Sequence, residues 1–538
     1  MSFIKARRLV PSKQGYYTEG TASICESVYV TNKTHHSDQK VIENLGSVIY
    51  LSEDKKSGIF NSPTRGIVFY DSTNDSFQEL SEDDPRLKEA SIVPFTKRHV
   101  VFGDVYLFVE FLKKMELIGV FRECFLQRRD FQRVILHLAH SVLRDGSHIS
   151  CDNFYQKSFI SYLGNRVRPS SLKTDSDYFA MMGDDNIKVG FFKVFAKYMK
   201  KKDPNFGKAS YVDSTPLPND EMDNPFNALC SHGLSATSVQ MRLVLVLDQS
   251  NGLPIWYDII PGNILDISTI DKIRDDVKKT LHIEIDDLVL DAGYVTKDLI
   301  KVCHNGTGKT FTARMPAKNG YPYKTLYYEL KNEIHRGKYQ FIRNGYTYFG
   351  AKKEKTIFNE QIFTYTYVDH YNASKGFKKF LESHEDRFEE MKDKDKDFAM
   401  ISAGYFVLVS NIDTNPKDML VRYYGRTEIE KVFKTAKEYL ELLPLNKWTN
   451  DTVRGKILND IIGTIIVLLM RKELRDSKKS IPDMIGATQS LMCVRDDDYN
   501  VTIDTANKQT RETFEAFHIP VPAHLDARVY WTTISGKQ

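Results

Sequence analysis

The chain has 538 residues, which is too long for one simple core and predicts two to four domains. Hydrophobic residues make up 41% of it, and the formal net charge is only +4. Any surface that binds a polyanion must therefore arise from local clustering of basic residues, because the chain has no large overall excess of positive charge.

Cysteine spacing and hydropathy exclude several classes of protein. The six cysteines are scattered without a Cys-x-x-Cys pair, which argues against a zinc ribbon or a disulfide framework and fits a reduced compartment. The basic N-terminal stretch lacks the apolar segment of a signal peptide. The most apolar run, Ile461 to Met470, has ten residues, about half of what a bilayer requires. We therefore expect a cytoplasmic protein without membrane contact, and we interpret this run as a buried helix.

The first half of the chain predicts two regions. Residues 1–95 contain short β-type runs such as ESVYVT and RGIVFYD between polar, turn-rich segments, which predicts a β-rich module. Residues 96–205 space apolar residues at helical intervals and end in the lysine-rich segment IKVGFFKVFAKYMKKK. Such a helix end is usually a solvated terminal turn. The alternative is contact with DNA, which makes 96–205 a candidate DNA-end-binding region.

Residues 206–315 alternate strand and helix patterns. ASYVDST is typical of a strand that ends in polar residues, and VQMRLVLVLD and LPIWYDII, joined by QSNG, predict a hairpin. A helix, the buried strand DLVLDAGY, a short helix and the strand KTFTARM follow. The pattern predicts a mixed sheet covered by helices, that is, an α/β fold.

Residues 316–402 interrupt this alternation with further β-type runs and a helix of mixed charge. Between Lys309 and Lys355 there are eleven Lys or Arg against three Glu, a net of +8, with ten Tyr or Phe interleaved. Basic residues between aromatic residues suit a nucleic-acid surface, where cations meet phosphates and rings stack on bases. An insertion with an exposed basic face explains the same composition.

Residues 403–475 return to the sheet with GYFVLVS and then enter helices, and residues 476–538 are predicted to be polar and irregular. In the segment YYGRTEIEKVFKTAK, four polar residues would share an arc of roughly 60° on one helix. They are Tyr423, Arg426, Glu430 and Lys437. A capping box from Thr427 to Glu430 and an ordinary Arg426–Glu430 ion pair explain part of this pattern.

Two carboxylates follow apolar runs where we expect strands to end, Asp213 in YVDST and Asp291 in LVLDAGY. A partly desolvated carboxylate is stabilised by a divalent cation, and with Glu430 the three oxygen donors would favour Mg²⁺ or Mn²⁺ over zinc. Asp248 and Asp266 are nearly as good candidates, judged from the residues around them. A hairpin turn explains Asp248 and a helix cap explains Asp266, but the residues alone do not rank Asp213 above Asp248.

These motifs together resemble the DDE transposases of bacterial and archaeal insertion sequences, in the group marked by Tyr-x2-Arg-x3-Glu-x6-Lys. Tyr423, Arg426, Glu430 and Lys437 match that signature at every position. The resemblance extends to VDST, to GLPIWYDIIPGN at 252–263, to LVLDAGY and to SVYVTNKTHHSDQKVIENLG near the N-terminus. It covers most of residues 20–475 but not the tail.

The resemblance implies an RNase H-like fold with a β-rich insertion before the helix that carries Glu430. Asp213 would lie on the first strand and Asp291 at the end of the fourth. These three carboxylates would hold two Mg²⁺ or Mn²⁺ ions per active site. The resemblance also favours Asp213 over Asp248.

It further implies an enzyme that cuts double-stranded DNA at the transposon ends and joins it to target DNA. Tyr423, Arg426 and Lys437 would hold the DNA backbone, and the enzyme would act as a homodimer in the synaptic complex. Two alternatives remain: an RNase H-like nuclease, and a domesticated DNA-binding protein that no longer moves DNA.

Overall fold

The computed structural model describes residues 2–80, 99–143, 151–162, 172–219, 224–229, 239–263, 269–304, 308–383, 390–396 and 404–536, apart from short gaps at 8, 12–15, 19, 31–35, 318–319, 394, 476, 478 and 497–498. The chain divides into two compact units, Met1–Arg98 and His99–Gln538.

The first unit is an antiparallel sheet with the strand order β1-β4-β5-β6-β7-β8, and the β2–β3 hairpin pairs with β5. Its strands are β1 Ser2–Arg7, β2 Val10–Pro11, β3 Tyr17–Thr18, β4 Thr21–Val30, β5 His36–Leu51, β6 Ser57–Ser62, β7 Gly66–Asp71 and β8 Ser76–Glu79. Alternate residues such as Ile4, Ile24 and Phe60 form its apolar core. Side chains alternate between the faces of a strand, and this explains the period of two in the sequence.

The second unit begins with a short strand and a group of helices whose apolar faces are buried together. These elements are β9 Val100–Val101, α1 Gly103–Lys114, α2 Leu117–Cys124, α3 Arg128–Leu143, α4 Cys151–Lys157, α5 Leu172–Met182 and α6 Asp185–Lys202. The last is the predicted lysine-rich helix. Its Lys188 is not part of a solvated face, because this side chain is only 13% exposed and lies beside Asp258.

A ten-stranded mixed sheet follows, in the order β11-β12-β10-β14-β15-β19-β18-β17-β16, with β13 also pairing with β12. Its first strands are β10 Ala209–Pro218, β11 Ala228–Leu229, β12 Val239–Asp248, β13 Pro254–Pro261, β14 Asp287–Leu290 and β15 Thr310–Arg314. Strands β10, β14 and β15 are parallel neighbours, and β12 and β13 form the predicted antiparallel hairpin. Helices α7 Thr269–Leu281 and α8 Lys297–His304 connect β13 to β14 and β14 to β15.

The segment predicted as an insertion joins the same sheet. Its elements are α9 Tyr323–Leu330, β16 Gln340–Arg343, β17 Tyr346–Ile357, β18 Glu360–Asp369 and α10 His370–Ser383. Strand β19 Tyr405–Ser410 pairs with β15 on one side and with β18 on the other. The β-type runs therefore extend the central sheet through antiparallel pairing, and only part of the predicted helix of mixed charge lies within the described residues.

After β19 the chain is helical. It forms α11 Pro416–Tyr424, α12 Thr427–Lys434, a π-helical turn at Thr435–Tyr439 and α13 Asn450–Glu473. Helix α13 contains the apolar run Ile461 to Met470 and is buried along most of its length, as predicted. In the part of the chain that the structure describes, no helix is long and apolar enough to cross a membrane.

The prediction of an irregular tail is wrong. Residues 481–535 form α14 Ile481–Thr488, β20 Met492–Arg495, β21 Asn500–Ile503, α15 Lys508–Ala516, β22 His524–Asp526 and α16 Ala527–Ser535. Strand β20 pairs with β9, which lies near the start of the second unit, and completes a four-stranded sheet. The tail is polar because its elements are short and bury one side only. Its partners lie almost four hundred residues earlier, so local sequence did not reveal them.

Candidate active site

Asp213 and Asp291 are brought together by the register of two parallel strands. Val212 on β10 pairs with Leu290 on β14, and each of these residues is followed in the sequence by one of the two aspartates. Strand β14 ends there, and Asp291 enters a short 3₁₀ turn at Ala292–Tyr294. The two carboxylates therefore lie side by side at the carboxyl end of the parallel strands, where sites in α/β sheets commonly form.

The structure corrects the placement of Asp213, which we expected at a strand end. Strand β10 continues to Pro218 and stays paired with β12, so that Asp213 lies in mid-strand opposite Leu245. What ends at Val212 is the pairing with β14. Asp213 thus faces the gap that β14 leaves, and the rigid strand fixes its backbone on the other side.

The segment from Tyr423 to Lys437 is not one helix, and this too corrects the sequence prediction. Helix α11 ends at Tyr424, helix α12 begins at Thr427, and Gly425 and Arg426 form a tightened turn between them. A Cβ atom on Gly425 would lie 2.1 Å from the Tyr211 Oη atom, so a larger residue would not fit at this junction unless the tyrosine moved.

The predicted capping box does not form. The Thr427 hydroxyl donates to the Tyr424 carbonyl oxygen at 2.8 Å, and no side chain caps α12. Glu430 is therefore not engaged at the helix start. Its side chain is 57% exposed and lies beside Arg426, as the ion-pair interpretation predicts.

The Arg426 guanidinium lies among all three predicted carboxylates. Its Nη1 atom donates to Asp213 Oδ2 at 2.5 Å, and its Nη2 atom is 3.5 Å from Glu430 Oε1 and 3.9 Å from Asp291 Oδ1. One strand, one strand end and one helix thus supply three negative charges around a single cation.

Burial dominates the electrostatics of this cluster. Desolvation raises the pKa of Asp213 to about 6, Arg426 opposes that rise, and Asp291 and Glu430 add to it because like charges disfavour ionisation. The backbone N–H of Ser214 donates to Asp213 Oδ1 at 2.8 Å and stabilises the charged form. The site therefore has an excess of negative charge that one guanidinium does not neutralise.

Tyr423 contacts one of these carboxylates, and Lys437 contacts residues that follow Asp213 on β10. The Tyr423 hydroxyl donates to Asp291 Oδ1 at 3.3 Å, and burial together with this carboxylate raises its pKa to about 12. The Lys437 Nζ atom donates to Thr215 Oγ1 at 2.7 Å and to the Pro216 carbonyl oxygen at 3.0 Å. The described contacts of Lys437 are thus with neutral oxygens.

Asp248, which the residues alone did not distinguish from Asp213, ends strand β12 beside Ser210, near the start of β10, and its carboxylate is held by hydrogen bonds. It accepts bonds from the backbone N–H groups of Gly207 and Asn251 at 2.8 and 2.7 Å and from the Ser250 hydroxyl at 2.7 Å. This confirms its role in the hairpin turn. Asp266, the other alternative, lies outside the described residues.

Sequence reasoning missed one cation near the site. Arg242 on β12 donates from Nη2 to Ser214 Oγ at 2.5 Å, next to Asp213. It is the only charged residue in the apolar run QMRLVLVL, and a lone charge in a buried strand is the signal that identifies such a residue.

Four of the ten rings of the basic and aromatic stretch are buried and are not available to nucleic-acid bases. Phe311, Tyr323, Tyr327 and Tyr348 are buried, while Tyr328 and Tyr346 are exposed. Several of its lysines are paired with carboxylates: Lys353 and Lys355 share Glu329, and Lys352 lies beside Asp413. Part of the alternation of cations and rings therefore arises because some of the rings face the core and some of the cations pair with carboxylates.

The three carboxylates provide ligands that suit a hard divalent cation, although in this structure they surround the Arg426 guanidinium. Asp213, Asp291 and Glu430 offer only oxygen ligands, which Mg²⁺ and Mn²⁺ prefer. In this conformation, and within the described residues, no three His, Cys, Asp or Glu side chains are grouped closely enough to hold an ion.

The fold and site thus define an α/β protein with a cluster of three carboxylates at the end of parallel strands. Residues 206–459, which include all six residues predicted for the site, match the model of the transposase DDE domain family. This match supports a DDE transposase family. No curated protein matches the sequence.

Among solved structures, the chain is similar to the cryo-EM structure of a piggyBac transposase synaptic complex with hairpin DNA. The sequence identity is 12%, and the alignment covers 69% of this chain and 78% of that chain. The TM-score is 0.34, a level at which the likeness supports no conclusion about this chain.

Proposed function

We propose that the chain is a cut-and-paste DNA transposase of the insertion-sequence type, with Asp213, Asp291 and Glu430 as its catalytic carboxylates. The observation that carries the proposal is the convergence of these residues on one guanidinium, within the segment that matches the transposase DDE domain. Grouping the largely buried Asp213 with two further acids is costly unless a cation is bound.

The strand order also supports an RNase H-like fold. If β10, β12, β13, β14 and β15 are counted as the first to fifth strands, their order in the sheet is 3-2-1-4-5, with the second antiparallel to the first. Asp213 is then on the first strand, Asp291 follows the fourth, and Glu430 is on a helix after the fifth, as the resemblance implies.

The chain's own residues have distinct roles in this proposal. Asp213, Asp291 and Glu430 would hold two Mg²⁺ or Mn²⁺ ions. Bound ions of this kind activate an attacking water or 3′-hydroxyl and stabilise the leaving oxygen at a phosphate. Strand β10 and the end of β14 hold two of the carboxylates on rigid backbone, which favours precise positioning of the reacting phosphate.

Tyr423, Arg426 and Lys437 are proposed to hold the DNA backbone at the transposon end. Arg426 presents a planar fork that suits phosphate oxygens. The described partners of Lys437 are uncharged oxygens, so they do not neutralise its positive charge. We expect double-stranded DNA, both transposon end and target, to be the partner. We also expect a homodimer when two ends are paired.

The test is cleavage, in Mg²⁺, of duplex DNA that carries the sequences flanking the gene, beside duplexes with scrambled ends. D213N, D291N and E430Q keep side-chain size but lose charge, and each should lower the cleavage rate by at least about 100-fold while leaving DNA binding largely intact.

D248N is the matched control, because it neutralises an aspartate at the end of the neighbouring strand β12, away from the carboxylate cluster. It should lower thermal stability but leave cleavage by the folded protein in place. Cleavage of scrambled ends at the same rate would favour the nuclease, and binding without cleavage would favour a domesticated DNA-binding protein. Wild-type cleavage rates in the three variants would contradict the assignment of the site.

A further inference from the structure

Arg426 lies within reach of all three candidate carboxylates. It is 14% exposed, contacts Asp213 directly and lies within 4 Å of Asp291 and Glu430. The Tyr423 ring lies beneath it, with 5.5 Å between the guanidinium carbon and the ring centroid. Three carboxylates and an aromatic face thus surround one positive charge.

This position does not satisfy the guanidinium completely. Its Nε–H group is buried and has no hydrogen-bond partner among the described residues. Only the contact with Asp213 has hydrogen-bond length, whereas those with Glu430 and Asp291 are longer. A guanidinium bonds best when two parallel N–H groups meet two oxygens, as on a phosphate.

Arg426 is also placed where its side chain can leave without unfolding an element. It lies in the tightened turn between α11 and α12, and the backbone N–H groups around it are bonded within that turn. If the side chain moved away, only its contacts with the three carboxylates and Tyr423 would be lost. Its withdrawal would leave Asp213 and Asp291 held by strands β10 and β14.

We propose that Arg426 is the internal counter-ion of the metal-free site, and that divalent metal and the guanidinium exchange places when the enzyme is loaded. The proposal rests on the proposed function for the identity of the metal site. Without metal, Arg426 holds the three carboxylates together. Metal binding releases it and makes its fork available to a phosphate of the DNA backbone.

The exchange couples two binding events. Metal must displace Arg426, so the affinity for metal without DNA is lower than the three carboxylates alone would give. By thermodynamic linkage, a DNA phosphate that accepts the guanidinium raises the affinity for metal, and metal raises the affinity for DNA by the same factor. Metal and DNA are then bound together more strongly than either alone.

The experiment measures Mn²⁺ binding by the full chain, without DNA, from the electron paramagnetic resonance signal of the free ion. R426Q removes the charge at the cluster and should bind Mn²⁺ at least about tenfold more tightly than the wild type, because a charge within 4 Å contributes strongly at a half-buried site. K431Q is the matched control. It removes a charge from the 66% exposed Lys431 of α12, the helix that follows Arg426. Lys431 pairs with Glu428, and K431Q should leave Mn²⁺ affinity within about twofold of the wild type.

R426K provides a second measurement if R426Q does not fold. A single ammonium group keeps the charge but does not bridge the carboxylates as a planar fork does, so R426K should bind Mn²⁺ roughly two- to fivefold more tightly than the wild type. Equal or weaker Mn²⁺ binding in both Arg426 variants overturns the exchange.

Failure of this inference is distinguishable from failure of the proposed function. If the wild type cleaves its end DNA but Mn²⁺ affinity is the same in the Arg426 variants, the exchange is wrong and the proposed transposase function is retained. If R426Q tightens Mn²⁺ binding and D213N abolishes it, but no DNA is cut, the exchange is supported and the proposed transposase function is wrong.

Discussion

Lys188 is a cation buried between helix α6 and strand β13. Its Nζ atom is 3.9 Å from Asp258 Oδ1 and lies over the rings of Trp256 and Tyr257, 4.5 and 4.6 Å from their centroids. Burial lowers the pKa of Lys188 to about 8, and Asp258 opposes that shift. The sequence placed this lysine in a solvated, basic helix end, yet the packing of α6 on the sheet makes it part of the interior.

The first prediction concerns the pH dependence of stability. The pKa of Lys188 is about 8 in the folded chain and about 10.5 when unfolded, so the unfolded chain binds more protons between these values. The contribution of Lys188 to the free energy of unfolding therefore rises as pH increases through this window. Between pH 8 and pH 10 the wild type should gain roughly 2 kcal/mol relative to K188M, as measured by urea unfolding. The exposed neighbour K193M should show no such divergence, and parallel curves for K188M would contradict the prediction.

The residues of the candidate site could be predicted from the sequence only in part. The residues selected Asp213, Asp291 and Glu430 as candidates, but only the resemblance ranked Asp213 above Asp248, because both follow apolar runs. The structure separates them by hydrogen bonding: Asp248 is engaged in its turn, and Asp213 faces the gap beyond β14. The pairing of Val212 with Leu290 that brings the aspartates together is a contact across 78 residues, and no local pattern encodes it.

At the scale of elements, the buried helix α13 is fitted to α5 through two glycines. A Cβ atom on Gly455 would lie 1.7 Å from the Phe179 carbonyl oxygen, and one on Gly183 would lie 1.9 Å from the Asp451 carbonyl oxygen. Both obstacles are backbone atoms, which cannot rotate away. The helices therefore approach more closely than side chains would allow. The apolar run predicted a buried helix but did not identify its partner.

The second prediction follows from this crossing. G455A should lower the free energy of unfolding by about 3 kcal/mol, because α5 and α13 must separate to admit the methyl group. G190A, in the helix interior of α6, meets no atom within 4 Å of the added Cβ and should be neutral or stabilising by up to about 1 kcal/mol. Urea unfolding of the two variants checks this, and equal stability would argue against the close crossing.

At the scale of the whole molecule, residues 481–535 are part of the second unit rather than an appendage. The Phe517 ring packs against Phe111, with 5.7 Å between centroids, and the Trp531 ring lies 6.2 Å from that of Phe131. The Arg122 Nε atom donates to the Ile534 carbonyl oxygen at 2.7 Å. The tail thus covers helices α1, α2 and α3, whose apolar residues would otherwise meet water.

The third prediction tests this role. Phe517 is fully buried, so F517A should lower the free energy of unfolding by about 3–5 kcal/mol, through lost burial and the cavity left behind. V529A truncates a residue of α16 that is 61% exposed and should change stability by no more than about 0.5 kcal/mol. Far-ultraviolet circular dichroism during urea unfolding measures both. An F517A variant as stable as V529A would mean that the tail is energetically independent.

The pairing of β9 with β20 sets an order of events during synthesis. Strand β9 leaves the ribosome about 390 residues before its partner, which at roughly 5–20 residues per second is a delay of some 20–80 s. During that interval the apolar surface of α1 to α3 lacks its cover and is a target for chaperones and proteases. We therefore expect a chain truncated before residue 492 to be removed by quality control, even though Asp213, Asp291 and Glu430, the proposed catalytic carboxylates, have already been translated.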